Sequence, residues 1–379
     1  METPDGNLDA WLVLLRAPAL GTAALRTLVT QHGSAGNALA TLRGGGAVGL
    51  ADETRAWLDA PDEARLAADR EWLADETHHL IGWDDPDYPS LLREIGGAPA
   101  ALFVAGDASL LWLPQVAVVG SRAASEHGLA IARRFTRALA GAGFAITSGM
   151  ADGIDGSAHA ATLDVGGSTI AVLGTGPDLV YPRKHRALAA RIAAGGALVS
   201  EFPPGTTARP EHFPQRNRII SGLSLGTLVI EAGLASGSLI TARCASEQGR
   251  EVFAVPGSVN NPLARGCHQL IRDGARLVES AAEIIEELGP HAAAAGTRLR
   301  ARLALLPELE PTSMRADPQG RDGDYAALLA ALESEPVALD VLAERTGLGV
   351  AALSSMLLVL ELEGEVLAAR GGLYARHPG

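Results

Sequence analysis

VAVVGSRAASEHGLAIARRFTRALAGAGFAITSG, residues 116–149, reads as strand, helix, strand. Val116–Gly120 is a short unbroken apolar run closed by glycine, the pattern of a strand buried on both faces of a parallel sheet. An amphipathic, arginine-bearing helix follows from about Glu126 to Ala142, and FAITSG (144–149) is the next strand. The alternation continues toward the C-terminus. A helix is expected near Ala158–Asp164, a strand at TIAVLG (169–174) and a helix from about Arg186 to Ala194. ALVSE (197–201), TLVIEAG (227–233) and EVFAVPG (251–257) are further strands, with SLITARCASEQGR (238–250) the helix between the last two. Strands alternating with helices of this length predict an α/β, Rossmann-like doubly wound, mostly parallel sheet. Ligands of such sheets sit at the C-terminal ends of the strands, so the residues just after each strand are the functional candidates.

Different patterns flank this region. LDAWLVLLRA (8–17) and TAALRTLVTQH (22–32) carry helical apolar spacing interrupted by Pro18 and Gly21, with Gly33 and Gly44–Gly46 marking further turns. Trp83–Gly106 reads as an irregular link with one short helix and one strand. Residues 290–323, rich in Ala, Pro and Arg, read as a linker. DYAALLAALES (324–334), LDVLAERTG (339–347) and VAALSSMLLVLELEG (350–364) make three helices, and EVLAARGGLYAR (365–376) a hairpin, the order of a winged helix. The expected division is an N-terminal helical, SAM-like domain over 1–80, the Rossmann-like domain over 81–289, the linker, and a winged-helix domain over 324–379.

Composition narrows the function classes. The chain has 379 residues, of which 47% are apolar, and no apolar run reaches the ~20 residues that span a bilayer. METPDGNLDAW lacks the basic start and apolar stretch of a secretion signal. The two cysteines, Cys244 and Cys267, make no disulfide framework and fit a reducing, cytoplasmic setting; no Cys/His cluster has zinc spacing. Neither a metal nor a cofactor nor a membrane partner is expected. Net charge is −13, yet residues 116–280 hold sixteen Arg and Lys against twelve Asp and Glu, while the remainder holds fifteen against thirty-two. Positive charge concentrated within an acidic chain is what a localised anion site requires.

The strand-end motifs fit that reading. Gly120-Ser121-Arg122, with Gly128 beyond, allows backbone to approach an anion and adds a guanidinium; an ordinary tight turn explains the glycines equally well. The dinucleotide signature Gly-x-Gly-x-x-Gly and the phosphate-loop Gly-Lys-Ser/Thr are absent. After the second strand, Asp155 and His159 have the spacing of an acid/base pair but no nucleophile or metal partner, which favours a structural role. The third strand runs into Gly174, then Tyr181, Arg183, Lys184 (the only lysine), His185 and Arg186, an aromatic beside a basic run. Phe213, Arg216, Asn217 and Arg218 follow the fourth strand and are expected on another strand-end loop, too basic to be core. Ser236, Ser238 and Thr241 open a helix whose N-terminus can accept an anion.

Together these stretches resemble the DNA-processing protein family called DprA or Smf. The resemblance rests on VAVVGSRAASEHG, SGMADGIDGSAH, GGSTIAVLGTGPDLVYPRKH, FPQRNRIISGLS, EAGLASGSLITARCASEQGREVFAVPG and GCHQLIRDGARLV, in order over about residues 80–280. It implies a cytosolic, non-catalytic factor that binds incoming single-stranded DNA in natural transformation, dimerises through the central domain and hands the strand to the recombinase RecA. Carried over onto this chain, the strand-contacting positions are Ser121, Arg122, Lys184 and Arg216-Asn217-Arg218. Departures from the family pattern are His127 where Tyr is usual, His185 where Asn is frequent, and Asp152 where a basic residue is common; the last removes a positive charge near the site.

Two other readings compete. A nucleotide-processing enzyme of the phosphoribohydrolase type would use Glu231 as acid or base beside Ser238 and Thr241. Double-stranded DNA regulation through the winged helix is disfavoured, because Val350–Leu360 carries no Arg or Lys and residues 324–377 hold three basic against eight acidic side chains. That segment is expected to contact protein or to be structural. Ala19-Leu20-Gly21 resembles half of a helix-hairpin-helix turn in acidic surroundings, where a helical-bundle or protein-contact role is expected.

Overall fold

The computed structural model describes residues 4–45, 50–303, 327–332, 337–348, 353, 356–357, 360, 366–369 and 373–376. The chain divides into two compact units, Met1–Leu303 and Ala304–Gly379.

The first unit opens with five helices, α1 (Pro4–Leu15), α2 (Thr22–His32), α3 (Ala35–Arg43), α4 (Asp52–Asp59) and α5 (Glu63–Leu73). Ala19, in the left-handed region at φ 55°, makes the turn between the first two. Trp11, Leu14, Leu25, Leu58 and Leu66 form their core, which extends onto Ala101 and Phe103 of the sheet.

That sheet has nine strands: β1 (His78–Gly82), β2 (Ala101–Gly106), β3 (Gln115–Gly120), β4 (Ala145–Ser148), β5 (Thr169–Val172), β6 (Ala197–Ser200), β7 (Gly226–Ile230), β8 (Glu251–Ala254) and β9 (Arg276–Leu277). Their spatial order is β1-β2-β6-β5-β4-β3-β7-β8-β9. β6 through β9 pair in parallel, and β1 and β2 add an antiparallel edge. From β3 the chain winds outward through β4, β5 and β6, then returns to place β7 on the other side of β3. The switch point of this doubly wound sheet therefore lies between β3 and β7, where ligands of such folds sit.

Both faces are covered, which is why the strands read as unbroken apolar runs. On β3, Val116 and Val118 pack on α7 (Glu126–Gly141), α8 (Ile154–Leu163) and α13 (Ala281–Leu303). Ala117 and Val119, pointing the opposite way, join the core formed with α10 (His212–Leu223), α11 (Ser238–Glu247) and α12 (Arg265–Arg272). A short helix, α6 (Ser90–Arg93), precedes β2, and α9 (Arg186–Gly195) precedes β6.

Three sequence expectations shift. β1 crosses the expected boundary at residue 80; its two histidines gave no strand signal, and pairing with β2 makes it one. Residues 290–303 are helical, because α13 continues through Pro290 along an Ala- and Leu-rich run of good helix formers; residues 304–326 of the expected linker and winged helix lie outside the described ones. Phe213–Arg218 is not a loop but the first half of α10. Pro214 sits in the first helical turn, where its missing N–H breaks no bond, and Ile219, Ile220 and Leu223 bury the rest of the helix against the sheet.

In the second unit, Leu328, Leu332, Val337, Leu342, Leu353, Leu357 and Val366 share a core. Val337–Ala338, Val366–Ala369 and Leu373–Arg376 form a three-stranded antiparallel sheet beside the helix Leu339–Thr346. Most of the expected recognition segment, Val350–Leu360, lies outside the described residues.

Candidate functional site

Three strand-end loops are tied together before any ligand is considered. Ser121 N–H donates to the carbonyl of Glu231 (2.6 Å), and Ile154 N–H donates to the carbonyl of Ser121 (3.2 Å). Glu231 is in the left-handed region at φ 51°, which turns its carboxylate back toward the loop after β3. There it accepts from Ser125 N–H at 2.8 Å and Ser125 Oγ at 2.6 Å. Gly128 leaves the room this carboxylate needs, since a Cβ there would overlap it.

Over these loops lies a cavity of about 770 Å³ at the β3/β7 switch point. Nine of the sequence-predicted residues line it: Gly120, Ser121, Arg122, Phe213, Arg216, Asn217, Ser236, Ser238 and Thr241. Arg216 reaches in from α10 and is buried, as is Asn217. Its Nη2 donates to the carbonyl of Gly149, its Nη1 to Asn217 Oδ1 at 3.1 Å, and its Nε has no partner. Glycine is required at 149 because a Cβ would overlap the guanidinium. Burial pushes Arg216 down to about 10, against the pull of Asp155, so the guanidinium is still charged at neutral pH. Burial likewise pushes the Asp155 carboxyl up, opposed by Arg216 and by the N–H groups of Ala151 and Gly149.

Arg122 is exposed and lies over the Phe213 ring at 5.8 Å, with the Tyr181 ring 5.4 Å beyond. Ser236 and Ser238 share a hydrogen bond of 2.7 Å at the start of α11, where Ser238 and Thr241 are buried facing the cavity. The site thus combines a free cation, a buried cation, a helix N-terminus and aromatic rings, a set suited to phosphates and bases together.

The other four predicted residues lie elsewhere. Gly174 sits beneath the Phe213 ring and accepts from His212 Nδ1 through its carbonyl (3.2 Å), so it supports the site. Arg183 lines a neighbouring cavity. The Lys184 ammonium pairs with Asp152 at 2.9 Å, and the same carboxylate is 3.3 Å from His185 Nε2. Arg218 does not reach the site: it donates to the carbonyls of Gly97 (2.6 Å) and Gln215 (2.7 Å) and pairs with Glu201 at 2.5 Å. Being two residues apart on a helix, Arg216 and Arg218 face different ways, which a loop reading hides.

Asp155 also lines the cavity, and both Asp155 and His159 are held by hydrogen bonds within the domain. Asp155 holds the loop after β4; His159 is buried, hydrogen-bonds Thr169 Oγ1 at 2.7 Å and is pushed down to about 3 by that burial. Tyr181, in the sequence an aromatic beside a basic run, lines both cavities. Among the described residues no group of His, Cys, Asp or Glu is placed to hold a metal ion, and no helix is long and apolar enough to cross a membrane.

Comparison with known proteins agrees with this architecture. The family model for DNA recombination-mediator protein A matches residues 79–289, the DprA-like N-terminal HHH domain residues 6–56, and the DprA winged helix domain residues 310–372. Protein Smf of Escherichia coli is 48% identical over 303 residues, 79% of this chain and 78% of that one. The putative DNA processing protein DprA of Mycobacterium tuberculosis is 36% identical over 375 residues, 95% of this chain and 92% of that one. The X-ray structure of DNA processing protein A from Streptococcus pneumoniae matches with TM-score 0.66 and 36% identity, covering 76% of this chain and 99% of its own. A structure of DNA processing protein A from Helicobacter pylori, described for its single-stranded DNA binding mode, matches with TM-score 0.50 and 28% identity over 54% of this chain and 94% of its own. With an N-terminal helical domain, a switch-point sheet and a winged helix in one chain, this protein belongs to the DprA/Smf family of DNA recombination mediators.

Proposed function

We propose that this chain is a non-catalytic single-stranded DNA-binding protein of natural transformation, which shelters the incoming strand and passes it to RecA. The observation that carries the reading is the convergence of Arg122, Arg216, Phe213, Ser238 and Thr241, from three chain segments, on one cavity at the switch point. The Helicobacter pylori relative, described for its single-stranded DNA binding mode, supports it. The strand's phosphates meet Arg122 and the α11 N-terminus, and its bases meet Phe213 and Tyr181. Contacts to phosphates and ring faces carry no base identity, so binding is expected to be independent of sequence. The protein acts as a homodimer in the cytoplasm, and its acidic winged helix serves protein contact or structure.

The placement of Glu231 speaks against the enzymatic alternative. The Glu231 carboxylate is engaged by Ser125 and is not among the residues lining the cavity. Retention of a poly-dT oligonucleotide on a filter tests the reading. Log K should fall with log salt by ~0.7 for each phosphate neutralised; salt-independent retention, or release of free base from nucleoside monophosphates, overturns it.

A further inference from the structure

Beside the switch-point cavity lies a second one, of about 490 Å³, at the C-terminal ends of β5 and β6. Its floor is apolar, from Ala189 and Ala193 of α9 and Leu198 of β6, and its rim carries Arg183 and Arg186. Both arginines are exposed, and among the described residues neither side chain makes a hydrogen bond or ion pair. Asp178 also lines it, with Oδ1 accepting from Gly205 N–H at 2.9 Å. Tyr181 is the residue common to both cavities, 49% exposed, with its ring beside that of Phe213. Arg122, Phe213 and Tyr181 thus form a row that leads from the first cavity into the second.

An apolar floor under a cationic rim matches a nucleotide, whose base is a flat ring and whose phosphate is an anion. The placement of the cations also needs an explanation. Arg183, Lys184, His185 and Arg186 crowd the start of α9, where the helix dipole is already positive and cations are unfavourable. A polyanion drawn along that rim reverses the sign of the effect.

We propose that this second cavity is a nucleotide subsite, and that a single strand crosses Tyr181 to occupy both cavities at once. The proposal rests on the single-stranded DNA reading of the first cavity and adds a path along the sheet edge, from the β3/β7 switch point toward β6. Arg183 and Arg186 take backbone phosphates, Tyr181 stacks a base, and the floor under Ala189 takes the next one.

Binding of dT2 and dT12 to the full chain, followed by fluorescence anisotropy in a salt series, tests it with Arg122→Ala, Arg186→Ala and Tyr181→Ala. Arg122→Ala should weaken both oligonucleotides. Arg186→Ala should weaken dT12 by about tenfold, lower its salt slope by ~0.7, and change dT2 by less than about twofold. Tyr181→Ala should weaken dT12 by about tenfold or more. If Arg122→Ala weakens dT12 while Arg186→Ala leaves its affinity and slope unchanged, the second subsite is wrong and the first stands. If the wild-type chain binds neither oligonucleotide, or Arg122→Ala changes neither, the single-strand reading itself is wrong.

Discussion

Arg122 and Lys184 lie on the segments that follow two strands of the same sheet, β3 and β5, and both are exposed cations. Their circumstances differ. Arg122 makes no ion pair among the described residues and rests on the Phe213 ring at the mouth of the switch-point cavity. Lys184 is already neutralised by Asp152 at 2.9 Å. The same contrast recurs on α10: Arg216 points into the cavity with an unpartnered Nε, whereas Arg218 is consumed by Glu201 and two carbonyls. A polyanion responds to the cations that are both oriented toward it and unneutralised, so a count of basic residues overstates the charge that this sheet edge offers.

The largest expected effect is at Arg216. Replacing it with Met removes a buried charge that faces the ligand, and single-strand affinity should fall by about 100-fold, or about 3 kcal/mol. Should Arg216→Met lose its cooperative melt, Arg216→Lys keeps the charge without the planar fork and should still lose most of the affinity, because a point charge cannot reproduce the two-pronged contact. Wild-type affinity in a folded Arg216→Lys breaks the contrast between the two arginines. Arg122→Ala comes next, at about tenfold with a salt slope smaller by ~0.7, since it removes one solvated phosphate contact.

How much of this was legible in the sequence depends on which physical signal each residue carried. The parallel strands announce themselves because burial on both faces leaves unbroken apolar runs such as Val116–Val119. The strand ends then follow, and with them Gly120, Ser121, Arg122, Ser236 and Ser238. The run Arg216-Asn217-Arg218 carries a misleading signal, since it is helical and not a loop. Strong basicity is normally a sign of solvent exposure, and it concealed a helix that buries Arg216 under Gly149. Once the run is helical, residues two apart cannot converge, and Arg218 must serve something else. The pairing of Lys184 with Asp152 joins residues on two different loops, and no local pattern records it. The carboxylate of Glu231 looked catalytic for the same reason: its partner Ser125 is distant in sequence.

Arg218→Ala sharpens the contrast from the opposite side. Its partners Glu201 and Gly97 join α10 to the end of β6 and to the segment before β2, and Glu201 also accepts from Thr22 Oγ1 of the N-terminal helices at 3.3 Å. Loss of these charge-assisted bonds should cost ~1–3 kcal/mol, read as a fall of several degrees in Tm. The salt slope of single-strand binding should stay where it was. A lower slope with unchanged Tm would return Arg218 to the site and undo the distinction.

The smallest effect concerns Lys184, and it is visible only in a pair of variants. An exposed pair such as Lys184–Asp152 contributes ~0–1 kcal/mol to stability, so breaking it does not disturb the fold. Its consequence is electrostatic: Asp152 both occupies the ammonium and repels phosphates. Lys184→Ala alone should therefore change affinity by less than about twofold, because the ammonium was largely neutralised. Asp152→Asn should raise affinity by about threefold and steepen the salt slope by up to ~0.7, as one more cation becomes available. In the Asp152→Asn background, Lys184→Ala should abolish that gain. The non-additivity of the two changes is the signature, since residues in direct contact couple whereas distant ones add. Strict additivity across the four proteins would mean that Lys184 reaches the strand regardless of Asp152, and that its ammonium is as available to a polyanion as the Arg122 guanidinium.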